Sequence, residues 1–182
     1  MKPVNKRTMY RSPGFQHGIR SGLAGVALCG LLLLPATSFP AAQGQEAPGF
    51  TLPVLQSGQL MSLADFQGKV IYLDFWASWC APCRKSLPLY EQMQSEFSLE
   101  KFQVVAINLD ENRDDAVRFL EKHPVSYTIL MDPAGTAASL WQVQAMPTSF
   151  LLGVDGRVIR KWAGFYPSHL EEIENEIRTS LQ

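Results

Sequence analysis

Hydrophobic and polar positions follow two different periods along this chain. Short apolar runs rich in β-branched and aromatic residues are typical of strands buried in a sheet, and apolar residues that recur every three or four positions are typical of helices. From residue 50 onward the two patterns alternate, which predicts an α/β domain. The predicted strands are residues 50–55, 59–63, 69–76, 102–109, 127–131, 148–154 and 157–162, and the predicted helices are residues 80–99, 114–122, 134–141 and 168–181.

Turn and capping residues connect these elements. Ser57-Gly58 lies between the first two predicted strands and Asp155-Gly156 lies between the last two, so each pair is expected to form a hairpin. The strand over 69–76 is mostly apolar and is expected to be central in the sheet. Residues 110–112 supply capping side chains for the helix that follows, which predicts a βαβ unit beginning at residue 102.

The first 42 residues differ in character from the rest of the chain. They contain five basic residues and no acidic residue, and residues 21–34 form an almost uninterrupted apolar run. Because about 20 apolar residues are needed to span a bilayer as a helix, this shorter run predicts a secretory signal peptide or a short N-terminal membrane anchor, with a cleavage region at 36–38. Residues 43–48 are interpreted as a linker and residues 49–182 as one domain.

Charge changes this picture in one respect. The chain has 16 Lys and Arg, five of them in the first 42 residues, against 17 Asp and Glu, so the exported portion has a net charge of about −6. An acidic domain of this kind does not favour binding to nucleic acid. The expected location is periplasmic or otherwise extracytoplasmic.

Two cysteines between a predicted strand and a predicted helix carry the candidate chemistry. Cys80 and Cys83 are separated by Ala81 and Pro82 and preceded by Trp79, and this spacing allows the two sulfurs to close a small disulfide. A helix beginning at Cys80 would stabilise its thiolate through unpaired backbone N–H groups and the helix dipole. Cys80 is therefore the expected nucleophile.

Other uses of a cysteine pair fit the chain less well. A zinc site needs two further ligands, whereas Cys29 lies in the apolar N-terminal run and His123 and His169 are far apart in sequence, so no metal site is predicted. A purely structural disulfide would close too small a loop to stabilise the fold much. A peroxidase of the peroxiredoxin type is disfavoured, since the expected Pro-x-x-x-Thr-x-x-Cys pattern is absent around Cys80.

Asp74 is a second unusual residue, since it interrupts an apolar strand. A buried carboxylate is costly unless it is paired or protonated, which suggests a functional role. A hydrogen-bonded or partly solvated carboxylate at the end of a strand is the alternative interpretation.

The residues above resemble a known family. Residues 74–83 (Asp-Phe-Trp-Ala-Ser-Trp-Cys-Ala-Pro-Cys), Pro88 and residues 146–148 (Met-Pro-Thr) are similar to the thioredoxin superfamily, and more narrowly to the exported TlpA/ResA-like thiol-disulfide oxidoreductases. The narrower likeness rests on the N-terminal segment, the hairpin over 50–63 and the long stretch over 110–146. It implies a thioredoxin fold: a central mixed sheet flanked by helices, with an N-terminal β-hairpin and a central insertion.

The resemblance also implies roles for individual residues. Cys80 would attack a substrate disulfide, Cys83 would resolve the mixed disulfide and Asp74 would assist proton transfer with Cys83. No cofactor is expected beyond the redox-active Cys80–Cys83 disulfide. Pro147 is expected to have a cis peptide bond, and Ser86 stands where many TlpA/ResA-like proteins have Glu. The expected substrate-binding residues are Trp79, Ala81, Pro82, Met146, Pro147 and Thr148.

The function implied is an extracytoplasmic thiol:disulfide oxidoreductase, a reductase of protein disulfides. Its partners would be protein disulfides, for example in cytochrome c maturation or copper-site assembly, and a membrane electron donor of the thiol-transfer type. The N-terminal segment would contact the membrane, and the chain would act as a monomer. The alternative is a Cu(I)-binding or copper-delivery module that uses the same two thiolates.

Overall fold

Seven strands form a two-stranded hairpin and a five-stranded mixed sheet in the computed structural model, which describes residues 41–182. The predicted signal or anchor segment therefore lies outside the described residues, apart from residues 41 and 42. The strands are β1 (Thr51–Pro53), β2 (Leu60–Ser62), β3 (Val70–Trp76), β4 (Phe102–Asn108), β5 (Thr128–Met131), β6 (Thr148–Leu152) and β7 (Val158–Ala163).

The five-stranded sheet has the order β5-β4-β3-β6-β7, so β3 is central as predicted. β3 pairs in parallel with β4 and antiparallel with β6, and all seven of its residues are buried. Both predicted hairpins are confirmed: β1 pairs with β2 and β6 pairs with β7, and Gly156 has the positive φ that the second turn requires. The thioredoxin fold expected from the resemblance is confirmed.

Four α-helices and a short 3₁₀ helix over Leu63–Phe66 complete the fold. Asn112 caps α2 by accepting a hydrogen bond from the Asp114 N–H, as its sequence position predicts. Pro88 lies inside α1, where the helix continues without the N–H that proline lacks. The helices are α1 (Cys83–Ser95), α2 (Arg113–Lys122), α3 (Thr136–Leu140) and α4 (His169–Ser180).

Apolar side chains on the two sides of the sheet form two separate cores. The first contains residues of α1, α2 and α4 packed on Tyr72 and Trp76 of β3. The second contains Phe75 of β3 and residues of α3, the 3₁₀ helix and the segment before β1. The alternation of side chains along β3 therefore assigns Asp74, which lies between Tyr72 and Trp76, to the face covered by α1.

The segment expected as a linker runs along the outer edge of β7. The Gly44 N–H donates to the Val158 carbonyl at 2.7 Å, and the Val158 N–H donates to the Gln45 carbonyl at 2.9 Å. At the opposite edge of the sheet, the Leu55 N–H donates to the Ile129 carbonyl of β5 at 2.9 Å. Residues 44–55 thus reach from one edge of the sheet to the other. Within residues 41–182, no helix is both long enough and apolar enough to cross a membrane.

Phe50 tests the contribution of this segment to stability. Its side chain is buried in the second core, so we expect Phe50→Ala to lower the free energy of unfolding by about 3–5 kcal/mol. Urea unfolding followed by circular dichroism measures the change. Leu60→Ala is the matched control because Leu60 lies on the hairpin with 63% of its surface exposed, and it should change stability by less than about 0.5 kcal/mol. Equal losses in both variants would contradict this packing.

Candidate active site

Three segments that are distant in sequence meet at one end of the sheet. Trp76 at the end of β3 is level with Asn108 at the end of the parallel strand β4. Phe75 is level with Thr148, the first residue of the antiparallel strand β6. The loops that follow β3 and β4 and the loop that precedes β6 therefore lie side by side.

The two cysteines form a disulfide in the loop between β3 and α1, with an S–S distance of 2.05 Å. Cys80 is 4% exposed and lies at the surface of the cleft described below, whereas Cys83 is fully buried behind it. The Cys83 N–H points at the Cys80 sulfur, with N and Sγ 3.3 Å apart. This contact supplies the backbone donor that favours a thiolate at Cys80.

The start of α1 differs from the sequence prediction. The helix begins at Cys83 and not at Cys80, and two tight turns precede it: the Cys80 N–H donates to the Ala77 carbonyl and the Cys83 N–H donates to the Cys80 carbonyl. Pro82 occupies the N-cap, where its missing N–H is not needed. Cys80 consequently lies just outside the helix, with its sulfur facing the first N–H of the helix.

A buried carboxylate that the sequence analysis missed fixes the start of this loop. Asp110 is 2% exposed and accepts hydrogen bonds from the Ser78 N–H at 3.0 Å and from the Asn108 side-chain amide at 2.8 Å. The Ser78 hydroxyl also donates to Asp110 at 3.0 Å. The loop after β3 is thereby tied to the end of β4, two residues before Cys80. In sequence, Asp110 looked only like part of a helix cap, because its partner is 32 residues away.

A cleft of about 490 Å³ opens next to Cys80. Trp79, which is 67% exposed, and Met146 line it on two sides, and no charged side chain lines it. Five predicted site residues therefore do come together: Trp79, Cys80, Ala81, Pro82 and Met146. The lining residues that the sequence analysis missed are Leu109, Val143, Gln144 and Ala145, which are adjacent to motif residues only in the folded chain.

The other two residues expected to bind substrate support the cleft from behind. The Met146–Pro147 peptide bond is cis, as predicted, and the Pro147 carbonyl accepts a hydrogen bond from the Gly164 N–H at 2.7 Å. Thr148 is buried, and its hydroxyl donates to the Ala145 carbonyl at 2.7 Å. These two contacts hold the loop that carries Met146.

Asp74 lies beneath the disulfide loop and not in the cleft. Its side chain is fully buried, and Oδ1 accepts a hydrogen bond from the Ser149 hydroxyl at 2.7 Å. Burial raises the pKa of Asp74 to about 8, and the hydrogen bond from Ser149 opposes that rise. An acid with this pKa can gain or lose a proton near neutral pH. The alternative of a partly solvated aspartate at the end of a strand is wrong.

The described residues contain no group of three or more His, Cys, Asp or Glu side chains placed to hold a metal ion. The chemistry that this arrangement can perform within residues 41–182 is therefore dithiol/disulfide exchange at Cys80 and Cys83, next to an acid of raised pKa.

Sequence comparison agrees with the geometry. Residues 43–161 match the AhpC/TSA family. The chain belongs to the AhpC/TSA family. Among curated members, ResA, a thiol-disulfide oxidoreductase of Bacillus thuringiensis subsp. konkukian, is 31% identical over 121 residues, which cover 66% of this chain and 69% of ResA. ResA of Bacillus subtilis is 28% identical over 151 residues, covering 80% and 84% of the two chains.

Solved structures of the family show the same fold. A crystal structure from Chlorobium tepidum, described as that of a thiol:disulfide interchange protein DsbE, is 44% identical and has a TM-score of 0.74, and the match covers 78% of this chain and 99% of that one. These comparisons and the cysteine pair identify this AhpC/TSA family member as a thiol-disulfide oxidoreductase. The likeness to ResA predicted from the sequence is confirmed.

The raised pKa of Asp74 predicts a dependence of stability on pH. Between pH 3.8 and about 8 the folded protein holds a proton on Asp74 that the unfolded chain releases, so rising pH destabilises the fold across this window. Asp74→Asn removes this effect. Its free energy of unfolding relative to wild type should increase by roughly 3–5 kcal/mol from the acid to the alkaline end of the window.

Urea unfolding of the oxidised proteins at a series of pH values measures this difference. Asp114→Asn is the control, because Asp114 is exposed on α2, and its curve should run parallel to that of wild type. If the Asp74→Asn curve also runs parallel to wild type, Asp74 does not have a raised pKa.

Proposed function

We propose that this chain is an extracytoplasmic reductase of protein disulfides, with Cys80 as the nucleophile, Cys83 as the resolving thiol and Asp74 as the proton carrier. The observation that carries the proposal is the unequal placement of the two sulfurs. Cys80 faces an apolar cleft that lies open to solvent, whereas Cys83 is fully buried on the side of Asp74. Only Cys80 is placed to meet a substrate disulfide.

The reduced enzyme would act in two exchange steps. The Cys80 thiolate attacks one sulfur of the substrate disulfide, forming a mixed disulfide and releasing the first substrate thiolate. Cys83 then loses its proton and attacks the Cys80 sulfur. The Cys80–Cys83 bond forms, and the bond to the substrate breaks with its electron pair leaving on the second substrate thiolate. The substrate has then gained two electrons, and the enzyme is left as the disulfide.

Asp74 would take the proton that Cys83 must lose. The carboxylate can accept this proton only when it is ionised, so resolution should become faster as pH rises through the pKa of about 8. In the reverse direction, the protonated acid would supply a proton to the departing Cys83 thiolate. A pKa near the working pH serves both directions.

The cleft fits a polypeptide substrate. Trp79 and Met146 offer apolar surface on both sides of Cys80, and the absence of charged lining residues does not select a charged small molecule. The substrate-binding roles proposed for Ala81, Pro82, Pro147 and Thr148 follow from their place at or behind this cleft.

The extracytoplasmic location rests on the basic and apolar first 42 residues. Reduced thiols do not persist in an oxidising compartment without a source of electrons, so the proposal includes a membrane donor of the thiol-transfer type. Cytochrome c maturation and copper-site assembly are the substrate pathways that fit such a reductase. The chain would act as a monomer, with its N-terminal segment in contact with the membrane.

Reduction of insulin disulfides in the presence of dithiothreitol tests the roles of the two cysteines. We expect Cys80→Ser to lose turnover and Cys83→Ser to accumulate a covalent adduct of one insulin chain on Cys80, because the mixed disulfide can no longer be resolved. Cys29→Ser is the matched control, since Cys29 is the only other cysteine, and it should turn over normally. Full turnover by Cys80→Ser would favour the second candidate function, Cu(I) binding by the two thiolates.

The direction of electron flow is tested by the potential of the Cys80–Cys83 couple. A reductase should equilibrate with glutathione buffers at a potential below about −180 mV, the value typical of disulfide isomerases. Mass spectrometry after alkylation of the free thiols gives the oxidised fraction in each buffer. A potential near −120 mV, typical of strong oxidants, would contradict a reductase and leave the thiol-exchange chemistry intact.

A further inference from the structure

The two strands that flank β3 offer very different neighbours to Asp74. In the register of the sheet, Asp74 is level with Ala106 of β4 on one side and with Ser149 of β6 on the other. Ala106 has no polar side-chain atom. The Ser149 hydroxyl donates to Oδ1 of Asp74 at 2.7 Å, and Oδ2 has no hydrogen-bond partner among the described residues.

Ser149 also contacts the helix that carries Cys83. The hydroxyl oxygens of Ser149 and Tyr90 are 3.5 Å apart, at the outer limit of a hydrogen bond. Tyr90 lies seven residues after Cys83 in α1, so the two side chains project from the same face of the helix. Ser149 is 1% exposed and therefore cannot exchange these partners for solvent. Its hydroxyl lies between the acid and the resolving helix.

We propose that Ser149 is a positioning residue, which holds Oδ1 of Asp74 and leaves Oδ2 as the oxygen that exchanges a proton with Cys83. This inference rests on the proposed role of Asp74 in resolving the mixed disulfide. In that step the Cys83 S–H bond breaks and its proton moves to the Asp74 carboxylate. The Cys83 sulfur then forms the bond to Cys80, and the substrate sulfur departs with the electron pair of the bond that breaks.

The electrostatics of the surroundings support a specific effect of Ser149. Its hydrogen bond stabilises the ionised carboxylate and so lowers a pKa that burial raises to about 8. Burial also raises the pKa of Tyr72, Tyr90 and Tyr127, so these phenols stay neutral over the working pH range. The groups that pack around Asp74 are Tyr72 on β3, Tyr90 and Cys83 on α1 and Tyr127 before β5, while β4, β7 and α4 contribute Ala106, Trp162, Ile173 and Ile177.

The experiment uses the reduced full chain and Ellman's reagent, an aromatic disulfide that releases two coloured thiolates in sequence. The first thiolate appears when Cys80 attacks and serves as the internal reference. The second appears when Cys83 resolves the adduct, so its rate as a function of pH reports the proton step. The carboxyl carbon of Asp74 in ¹³C-labelled oxidised protein gives a direct titration by NMR that does not depend on activity.

Ser149→Thr and Ser149→Val form a matched pair, because the two side chains have nearly the same size and only Thr retains the hydroxyl. We expect Ser149→Val and Ser149→Ala to move the midpoint of the second release and the NMR titration upward by about one pH unit, as loss of a hydrogen bond to a charged group predicts. Ser149→Thr should keep the wild-type midpoint. In an Asp74→Asn background, Ser149→Val should have no effect on the pH profile.

The possible failures are distinguishable. If Asp74→Asn leaves the second release with its wild-type pH profile, Asp74 is not the proton carrier, and both the proposed role and this inference are overturned. If Asp74→Asn removes the pH step but Ser149→Val keeps the wild-type midpoint in both measurements, only the positioning role of Ser149 is overturned. A shift produced equally by Thr and Val would assign the effect to packing, which also overturns it.

Discussion

The pairing of β3 with one parallel and one antiparallel neighbour is the constraint on which the active site depends. The parallel partner β4 sends its following loop to the same end of the sheet as the disulfide loop, and the antiparallel partner β6 begins there. The cleft is therefore assembled from Cys80, Leu109 and Met146, which no single segment could bring together. Asp110 then fastens the first two loops to each other through Ser78.

The same strand places a charge-bearing group inside the core. Alternation along β3 puts Asp74 on the face under α1, among side chains that contribute almost no polar contacts. Packing of Tyr72 against Tyr90, with ring centroids 4.9 Å apart, surrounds the acid with aromatic surface. The low polarity that destabilises the carboxylate is also what brings its pKa close to that of a thiol, so stability and proton transfer draw on one physical cause.

The sequence predicted the elements well because their periodicity is local, and it placed Cys80, Cys83 and Asp74 correctly because a motif joins them. It missed features that depend on contacts between distant segments. Asp110 and Ser149 acquire their partners only when β3 pairs with β4 and β6, and their positions in sequence resemble an ordinary helix cap and an ordinary strand residue. The start of α1 was misplaced by three residues, since the turns around Cys80 mimic a helix until Pro82.

The course of residues 44–55 has a consequence for how this protein meets other chains. An open sheet edge is a template on which a foreign strand can add. Here β7 is paired at one end with Gly44 and Gln45, and β5 is paired with Leu55, so the protein's own backbone occupies part of both edges. Recruitment of an unfolded client by strand addition is blocked at those positions. The exposed apolar surface beside Cys80 remains as the place where such a client can dock, which brings encounter and disulfide exchange to the same spot.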